Sequence, residues 1–249
     1  MQVQVFPDLE ALSHKAATLF VNLSGKYIAS RGRFTVALSG GSTPRILYSL
    51  LSSDLYQGRV DWHHVHFFWA DERCVPIENE ESNFKLVFDL LLSKISVPHG
   101  NIHRIKVEEG PEKGAQDYED RIREFFNTSG FPVFDLIILG VGKNGHTASL
   151  FPGSIYLKGD TRLAIPVYVQ EMKTHRITLT LPVLNNADHI VFLASGSAKA
   201  DIITEVLGNR KEQYPAGLVS PVHGNLIWML DREASLKLSK QIELLYLGL

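Results

Sequence analysis

A chain of 249 residues, of which 45% are hydrophobic, can bury a substantial core, and this excludes an intrinsically disordered protein. Its formal net charge of −2 provides no positive field for nucleic acid or an anionic membrane, so we predict a small-molecule ligand and neither of those partners. The single cysteine, Cys74, excludes an intramolecular disulfide and fits a reducing compartment. The amino-terminal residues lack the pattern of a signal peptide, and no stretch approaches the roughly 18 apolar residues of a membrane span. We therefore expect a soluble cytoplasmic protein.

The first part of the chain predicts helices that alternate with buried strands. Asp8 is suited to cap a helix whose apolar residues recur at helical spacing as far as Leu23. Strands are predicted at residues 34–38 and 65–70, with a helix at residues 46–51 between them. The sequence before this first predicted strand contributes only the one helix.

The sequence SGGSTP, residues 39–44, joins the first predicted strand to the next helix. Gly40 and Gly41 allow a ligand to approach the backbone closely. Ser42, Thr43 and the N-terminus of the helix supply hydroxyl and N–H donors suited to a phosphate or a sugar. An ordinary capped turn would explain the same residues equally well.

Three ionisable residues, Asp71, Glu72 and Arg73, directly follow the predicted strand at residues 65–70. Burying such groups without partners costs free energy, so they are either solvated at the edge of the sheet or in contact with a ligand. We favour the ligand. Ser82 and Asn83 are then expected to cap another helix, and the EEGPEKG segment, residues 108–114, to form a solvated loop.

The most informative segment is FDLIILGVGKNGHTASLFPG, residues 134–153. Its apolar start predicts a strand buried on both faces. The strand ends in glycines that permit a sharp turn and close approach of a ligand, Gly140, Gly142 and Gly145. Residues 147–150 predict the start of a helix. His146 lies where open α/β sheets bind ligands, and an ordinary histidine pKa of about 6.5 suits proton transfer. His146 is thus the strongest candidate for a catalytic base, with a structural loop histidine as the alternative.

The remaining strands are predicted at residues 162–169, 176–181, 191–194 and 226–230. Arg176 is expected to point inward. Lys199, about one turn into the helix that follows residues 195–198, can bind a phosphate, although a surface lysine is the commoner explanation. Residues 214–222 are predicted to be loop, and residues 231–238 to begin a closing helix.

This order of elements predicts an α/β fold: a single-domain, doubly wound, mainly parallel sheet flanked by helices, with a small antiparallel addition near residues 162–181. No break in composition divides the chain, so residues 1–249 are expected to form one domain. Four loops are expected to share one edge of the sheet: residues 40–44, 71–73, 142–146 and 195–199. No set of ligands at metal-binding spacing accompanies His146, and the glycine patterns match no nucleotide fingerprint, so we predict no metal and no cofactor.

Several motifs follow one another along the chain: SGGSTP at residues 39–44, ADERCVP at 70–76, GVGKNGHTASLFPG at 140–153, HRITLTLP at 175–182, SGSAKA at 195–200, and YPAGLV at 214–219 followed by LIWMLD. Together and in this order, they resemble the motifs of the 6-phosphogluconolactonase family. The related glucosamine-6-phosphate deaminases carry an aromatic residue and a catalytic glutamate where this chain has Arg73 and Phe151. The resemblance covers nearly the whole chain and favours the lactonases.

The resemblance implies a Rossmann-like fold of the deaminase/lactonase type and a cofactor-free reaction on a small phosphorylated sugar lactone. The reaction is hydrolysis of 6-phospho-D-glucono-1,5-lactone to 6-phospho-D-gluconate in the oxidative pentose phosphate pathway. A lactone is an activated ester whose hydrolysis needs a general base, and His146 can be that base. The resemblance assigns Arg73 to the charged or carbonyl oxygens of the substrate, and Arg176 and Lys199 to the phosphate. The loop from Ser39 to Thr43, which includes Gly40, Gly41 and Ser42, would line the sugar, and Gly145 is also expected to bind the substrate.

One departure from the family pattern concerns the partner of the base. The family usually has Asp-Gly-His, and this chain has Asn144-Gly145-His146. A neutral asparagine can orient the ring without adding charge, so His146 is expected to stay unprotonated to lower pH unless Asp71 supplies the missing charge.

Two other functions stay open from the sequence: a deaminase or isomerase acting on an amino sugar phosphate, and a non-catalytic protein that binds sugar phosphates. We expect a monomer or a small homo-oligomer.

Overall fold

The computed structural model describes residues 1–154, 161–208 and 211–238. Its strands and α-helices are, in chain order, β1 (Gln2–Phe6), α1 (Leu9–Arg31), β2 (Phe34–Leu38), α2 (Arg45–Leu51), β3 (Val65–Trp69), β4 (Asp71–Arg73), α3 (Asn83–Leu90), α4 (Pro111–Phe126), β5 (Leu136–Leu139), β6 (Ala164–Val169), β7 (Thr174–Leu179), α5 (Leu181–Asn185), β8 (His189–Ala194), α6 (Ala200–Leu207), α7 (Pro215–Leu218), β9 (Asn225–Asp231) and α8 (Arg232–Ser235). None of the described helices is long and apolar enough to cross a membrane.

Six strands form a parallel sheet in the order β1-β9-β8-β5-β2-β3, and β4, β7 and β6 form a smaller antiparallel sheet. The predicted mainly parallel sheet with a small antiparallel addition is confirmed. From β2 the chain proceeds to β3 on one side, and from β5 it proceeds to β8 and β9 on the other. Since β2 and β5 are neighbours, the winding reverses between them, and open α/β sheets bind ligands at the carboxyl ends of the strands at such a point.

The central strands carry continuous apolar sequence because both of their faces are covered. Every residue of β2 and of β5 is buried. Further along the sheet, Phe192 of β8 and Trp228 of β9 stack with ring centroids 3.9 Å apart and planes 2° from parallel. This stack contributes to the dense packing of the sheet.

The amino-terminal prediction is partly wrong. The Asp8 side chain accepts a hydrogen bond from Ala11 N at 2.8 Å and caps α1 as expected. A strand, β1, nevertheless precedes this helix and pairs with β9 at the edge of the sheet. Gln2 and Gln4 alternate with Val3 and Val5, so the segment lacks the continuous apolar sequence of the inner strands, and its partner is the last strand in the sequence. The alternation is itself a local sign of a half-buried strand, which our prediction overlooked, whereas the pairing with β9 depends on residues far along the chain.

The predicted helix after His146 is also wrong. Leu150 N donates to Thr147 O at 2.9 Å to close a tight turn, and Ala148 has φ of 47°, a left-handed conformation that no continuing α-helix contains. The Thr147 hydroxyl donates to Gly140 O at 2.9 Å and ties this turn to the end of β5. His146 therefore sits in a folded loop and not at a helix N-terminus.

Four smaller corrections concern segment boundaries. The residues expected as a loop at 71–73 form β4, because they pair with β7. The predicted loop at residues 108–114 ends early, because α4 begins at Pro111. Residues 214–222 include the short helix α7, and Lys199 ends a 3-10 turn, Ser197–Lys199, directly before α6. The expected closing helix is α8, which Asp231 caps.

Candidate active site

A cavity of about 270 Å³ lies where the loops after β2 and β5 meet the antiparallel sheet. Most of the predicted site residues line it: Gly40, Gly41, Ser42, Thr43, Asp71, Arg73, His146, Arg176 and Lys199. Two predicted residues, Asn144 and Gly145, are not among its lining residues. A larger groove of about 740 Å³ beside α3 and α4 contains none of the predicted residues. We therefore assign the chemistry to the smaller cavity.

The imidazole of His146 is held from several sides. Its Nδ1 lies 2.6 Å from Asn144 Oδ1, and its ring packs against Phe151 at a centroid distance of 4.6 Å. A Cβ atom on residue 142 would lie 2.1 Å from His146 Cε1, so only glycine leaves room for the ring. Gly142 therefore serves the histidine directly.

Burial lowers the pKa of His146 to about 4. The nearby Asp71 carboxylate acts in the opposite direction, and Arg176, Lys199 and Arg73 lower the pKa further. His146 is thus a neutral imidazole at physiological pH, the form that a general base requires.

The antiparallel sheet brings two arginines together. Arg73 of β4 and Arg176 of β7 are directly opposed in the register of the sheet, and both line the cavity. Like charges at such positions repel each other. No carboxylate of the described residues lies within 4.0 Å of either guanidinium group. Burial of Arg176 disfavours its charged form and lowers its pKa. An anion bound between the two side chains would offset both the repulsion between the arginines and the cost of burying the charge.

Two lysines contribute further cations to the cavity. Lys199 is half-buried, its Nζ donates to Val141 O at 2.7 Å, and burial together with the nearby Lys143 lowers its pKa. Lys143 also lines the cavity but is exposed, and sequence reasoning did not single it out. The lining residues thus include four basic side chains, two arginines and two lysines, and one carboxylate, Asp71. Such a cavity is suited to an anion with more than one negative charge.

Asp71 is fixed by hydrogen bonds from neighbouring elements. Its Oδ2 accepts from the Ser149 hydroxyl at 2.7 Å, and its Oδ1 accepts from Asn83 Nδ2 at 3.2 Å. Arg176 Nη1 also reaches the Ser149 hydroxyl, at 3.5 Å. Sequence reasoning missed these roles of Ser149 and Asn83, because their contacts join segments that are distant in the chain.

Glu72 and Gly145 serve the local fold of the protein. The Glu72 carboxylate accepts hydrogen bonds from the backbone N–H groups of Asn83 at 2.8 Å and Phe84 at 2.7 Å, so it faces the N-terminus of α3. The expectation that Glu72 contacts a ligand is not supported by this arrangement.

Gly145 has φ of 78°, and a Cβ atom there would lie 2.4 Å from the ring of Tyr214. Glycine is needed at this position for the path of the loop.

Comparison with known proteins identifies the family. Residues 7–228 match the family described as glucosamine-6-phosphate isomerases/6-phosphogluconolactonase. The chain belongs to this family. Among its members, 6-phosphogluconolactonase 3, chloroplastic, of Arabidopsis thaliana is 38% identical over 246 residues, which span 95% of this chain and 75% of the relative. The 6-phosphogluconolactonase of Synechocystis is 38% identical over 238 residues, 94% and 96% of the two chains.

Solved structures of family members share the fold. The crystal structure of 6-phosphogluconolactonase from Thermotoga maritima has a TM-score of 0.79 at 29% identity and covers 93% of this chain and 99% of its own. A monomeric glucosamine-6-phosphate deaminase has a TM-score of 0.80 at 21% identity, covering 95% and 100%. The second likeness shows the fold alone, so both branches of the family are built on this architecture and the site must distinguish them.

Proposed function

We propose that the chain is a 6-phosphogluconolactonase that hydrolyses 6-phospho-D-glucono-1,5-lactone to 6-phospho-D-gluconate in the oxidative pentose phosphate pathway. The observation that carries the proposal is a neutral histidine, His146, in a small cavity that also holds Arg73, Arg176 and Lys199. A lactone is an activated ester, so its hydrolysis needs a base for water and a positive group for the oxyanion, without a covalent nucleophile. The 38% identity to two proteins named 6-phosphogluconolactonase supports the proposal further.

His146 performs the proton transfers through Nε2, because Nδ1 is engaged by Asn144. Nε2 takes a proton from water, and the water oxygen forms a bond to the lactone carbonyl carbon. The resulting oxyanion is stabilised by Arg73. When the tetrahedral intermediate collapses, the bond from C1 to the ring oxygen breaks, and His146 returns its proton to that oxygen as the 5-hydroxyl group forms. One water is consumed, and the acid product releases a proton to solvent.

The phosphate is bound by Arg176 and Lys199, with the loop from Gly40 to Thr43 along the sugar. Charge-assisted hydrogen bonds to phosphate contribute about 1.5–3 kcal/mol each, which compensates for the absence of a global positive field. The Asp71 carboxylate reduces the repulsion among these cations and limits the fall in the His146 pKa.

The remaining expectations belong to the same proposal. They are a single domain over residues 1–249, a monomer or small homo-oligomer, a cytoplasmic location and no nucleic-acid partner. The lone cysteine supports the cytoplasmic location, and the near-neutral charge balance supports the absence of a nucleic-acid partner.

The deciding experiment is pH-stat hydrolysis of freshly prepared 6-phosphogluconolactone, corrected for the spontaneous reaction and run beside unphosphorylated gluconolactone. The proposal predicts acid release well above background and a strong preference for the phosphorylated lactone. Ammonia release from glucosamine 6-phosphate would instead assign the chain to the deaminases. Tight binding of 6-phosphogluconate without any turnover would make it a sugar-phosphate-binding relative.

A further inference from the structure

Four buried polar atoms around the cavity make no hydrogen bond within the described residues. They are Ser39 Oγ, Asn83 Oδ1, Arg73 Nε and Arg176 Nε, and all four residues line the cavity. Buried polar groups in folded proteins are nearly always paired, and each unpaired group costs free energy. Their concentration around one cavity indicates hydrogen-bonding groups that are held ready for a ligand.

Asn83 is the most informative of the four because its amide has a defined orientation. Its Nδ2 donates to the backbone oxygen of Asp71 at 2.8 Å and to the Asp71 carboxylate at 3.2 Å. Both partners accept hydrogen bonds and cannot donate them, so the NH₂ group must face Asp71. The amide oxygen is thereby turned to the opposite side, on a residue only 1% exposed.

Gly40 provides the space for this oxygen. A Cβ atom on residue 40 would lie 1.7 Å from Asn83 Oδ1 and 2.4 Å from Asn83 Cγ. The amide thus packs against the bare Cα of Gly40, next along the chain from the unpaired hydroxyl of Ser39. Gly40 contributes to the site by admitting Asn83, a role that its position in SGGSTP did not reveal.

We infer that Asn83 is a specificity-determining residue, whose Oδ1 accepts a hydrogen bond from a ring hydroxyl of the sugar. The inference rests on the proposed function. An amide oxygen needs a donor, and neither the lactone carbonyl nor a phosphate dianion supplies one. The sugar hydroxyls are the donors that the substrate offers, and the arginines and lysines account for its acceptor oxygens.

A substrate that lacks the matching hydroxyl would leave Asn83 Oδ1 buried and unpaired. Sites built to hydrogen-bond a hydroxyl reject the analogue without it for this reason. We expect one deoxy analogue to lose about 10- to 100-fold in kcat/KM on the natural protein, and the others much less.

The test uses the 2-, 3- and 4-deoxy forms of the phosphorylated lactone with the natural protein, Asn83→Ala and Ser149→Ala. In Asn83→Ala the parent lactone should become slow, and the sensitive deoxy analogue should react within about threefold of it, since the acceptor is gone. Ser149→Ala is the matched control. It removes the other side-chain hydrogen bond to Asp71 but keeps the Asn83 oxygen, so it should slow all four lactones while the 10- to 100-fold deoxy discrimination persists.

Two results would overturn the inference: a natural protein that distinguishes none of the three deoxy lactones, or discrimination that survives in Asn83→Ala. The first result is measured on the natural protein alone, so it does not depend on whether Asn83→Ala folds. Failure of the proposed function is separate, because it would appear as no turnover of the parent lactone. In that case calorimetric binding of 6-phosphogluconate and its deoxy forms tests the same hydrogen bond, and equal affinities for all of them would contradict it.

Discussion

His146 Nδ1 lies 2.6 Å from Asn144 Oδ1, and the same amide oxygen accepts a second hydrogen bond from His146 N at 3.3 Å. An amide oxygen only accepts, so the neutral imidazole must carry its proton on Nδ1. Nε2 then has a free lone pair. Asn144 therefore fixes the tautomer that can remove a proton from water, as an aspartate would, but without adding a negative charge.

Asn144→Asp should move the acidic limb of the kcat/KM profile to higher pH. Burial holds the pKa of His146 at about 4, and a carboxylate at residue 144 would favour the imidazolium and raise it by about 1 unit or more. The natural protein should thus retain activity further into acid than the variant. The measurement is kcat/KM against pH for both proteins, since this profile reports the free enzyme.

Asn144→Ala serves as the control for this comparison, because it removes the orienting oxygen and adds no charge. It should lower kcat with the acidic limb nearly unchanged. Coincident acidic limbs in the natural protein and Asn144→Asp would show that residue 144 has no electrostatic effect on the base. A natural protein that is inactive until Asn144→Asp restores hydrolysis would overturn the catalytic assignment of this chain.

Lys199→Ala should reduce kcat/KM for the phosphorylated lactone by roughly 10- to 100-fold and have little effect on unphosphorylated gluconolactone. The half-buried ammonium is held by Val141 O and has no carboxylate partner among the described residues, so its charge is available to phosphate. Lys237→Ala is the control, because Lys237 pairs with Asp201 on the surface. Equal losses on both lactones would remove Lys199 from the phosphate site.

Lys143→Ala should have a smaller effect that depends on salt. The side chain is exposed and close to Lys199, so its attraction for a dianion is screened by ions. We expect the affinity for 6-phosphogluconate to fall by up to about fivefold at low ionic strength, and by less in about 1 M salt. Calorimetric titration at both salt concentrations checks this. A loss that is independent of salt would indicate a direct, buried contact.

His103→Phe should make the stability less sensitive to acid. His66 and His103 are adjacent, with Nδ1 and Nε2 3.3 Å apart, and His103 stacks on Phe68 at 4.3 Å. Burial lowers the pKa of His66 to about 4 and that of His103 to about 3. Between these values and the ordinary pKa of about 6.5, the two histidines bind more protons in the unfolded chain than in the folded protein. The stability that comes from burying them as neutral rings is therefore complete above pH 6.5 and declines as the pH falls.

Urea unfolding at about pH 7.5 and about pH 5 measures this effect. The phenylalanine variant keeps an aromatic ring but loses one titrating group, so its free energy of unfolding should decrease less between the two conditions. An unchanged decrease would assign the acid sensitivity to other groups.

Local patterns explain why much of the parallel sheet was predictable from the sequence. The buried run of β5 and the glycines after it identify a strand and a ligand loop without reference to any distant residue. The three-residue strand β4 has no such pattern, because charged residues that pair with β7 resemble a solvated loop until the partner is known. The opposition of Arg73 and Arg176 depends on that pairing.

The polar contacts within the site were harder to predict for the same reason. Asn83 has the local signature of a helix N-terminus, and Ser82 does cap α3. The amide of Asn83 nevertheless bonds to Asp71 and packs on Gly40, contacts that exist only after three separate segments meet. The pKa of His146 is likewise set by burial in the assembled cavity, which a sequence motif does not specify.

The most direct test of the central claim compares turnover and binding in His146→Ala. A general base contributes mainly in the transition state, so kcat for the phosphorylated lactone should fall by about 10²- to 10⁴-fold. Calorimetric affinity for 6-phosphogluconate should change by no more than a few-fold, because the cations that hold the product are untouched. A loss of affinity as large as the loss of kcat, or a variant that hydrolyses the lactone at the natural rate, would contradict the assignment of His146 as the base.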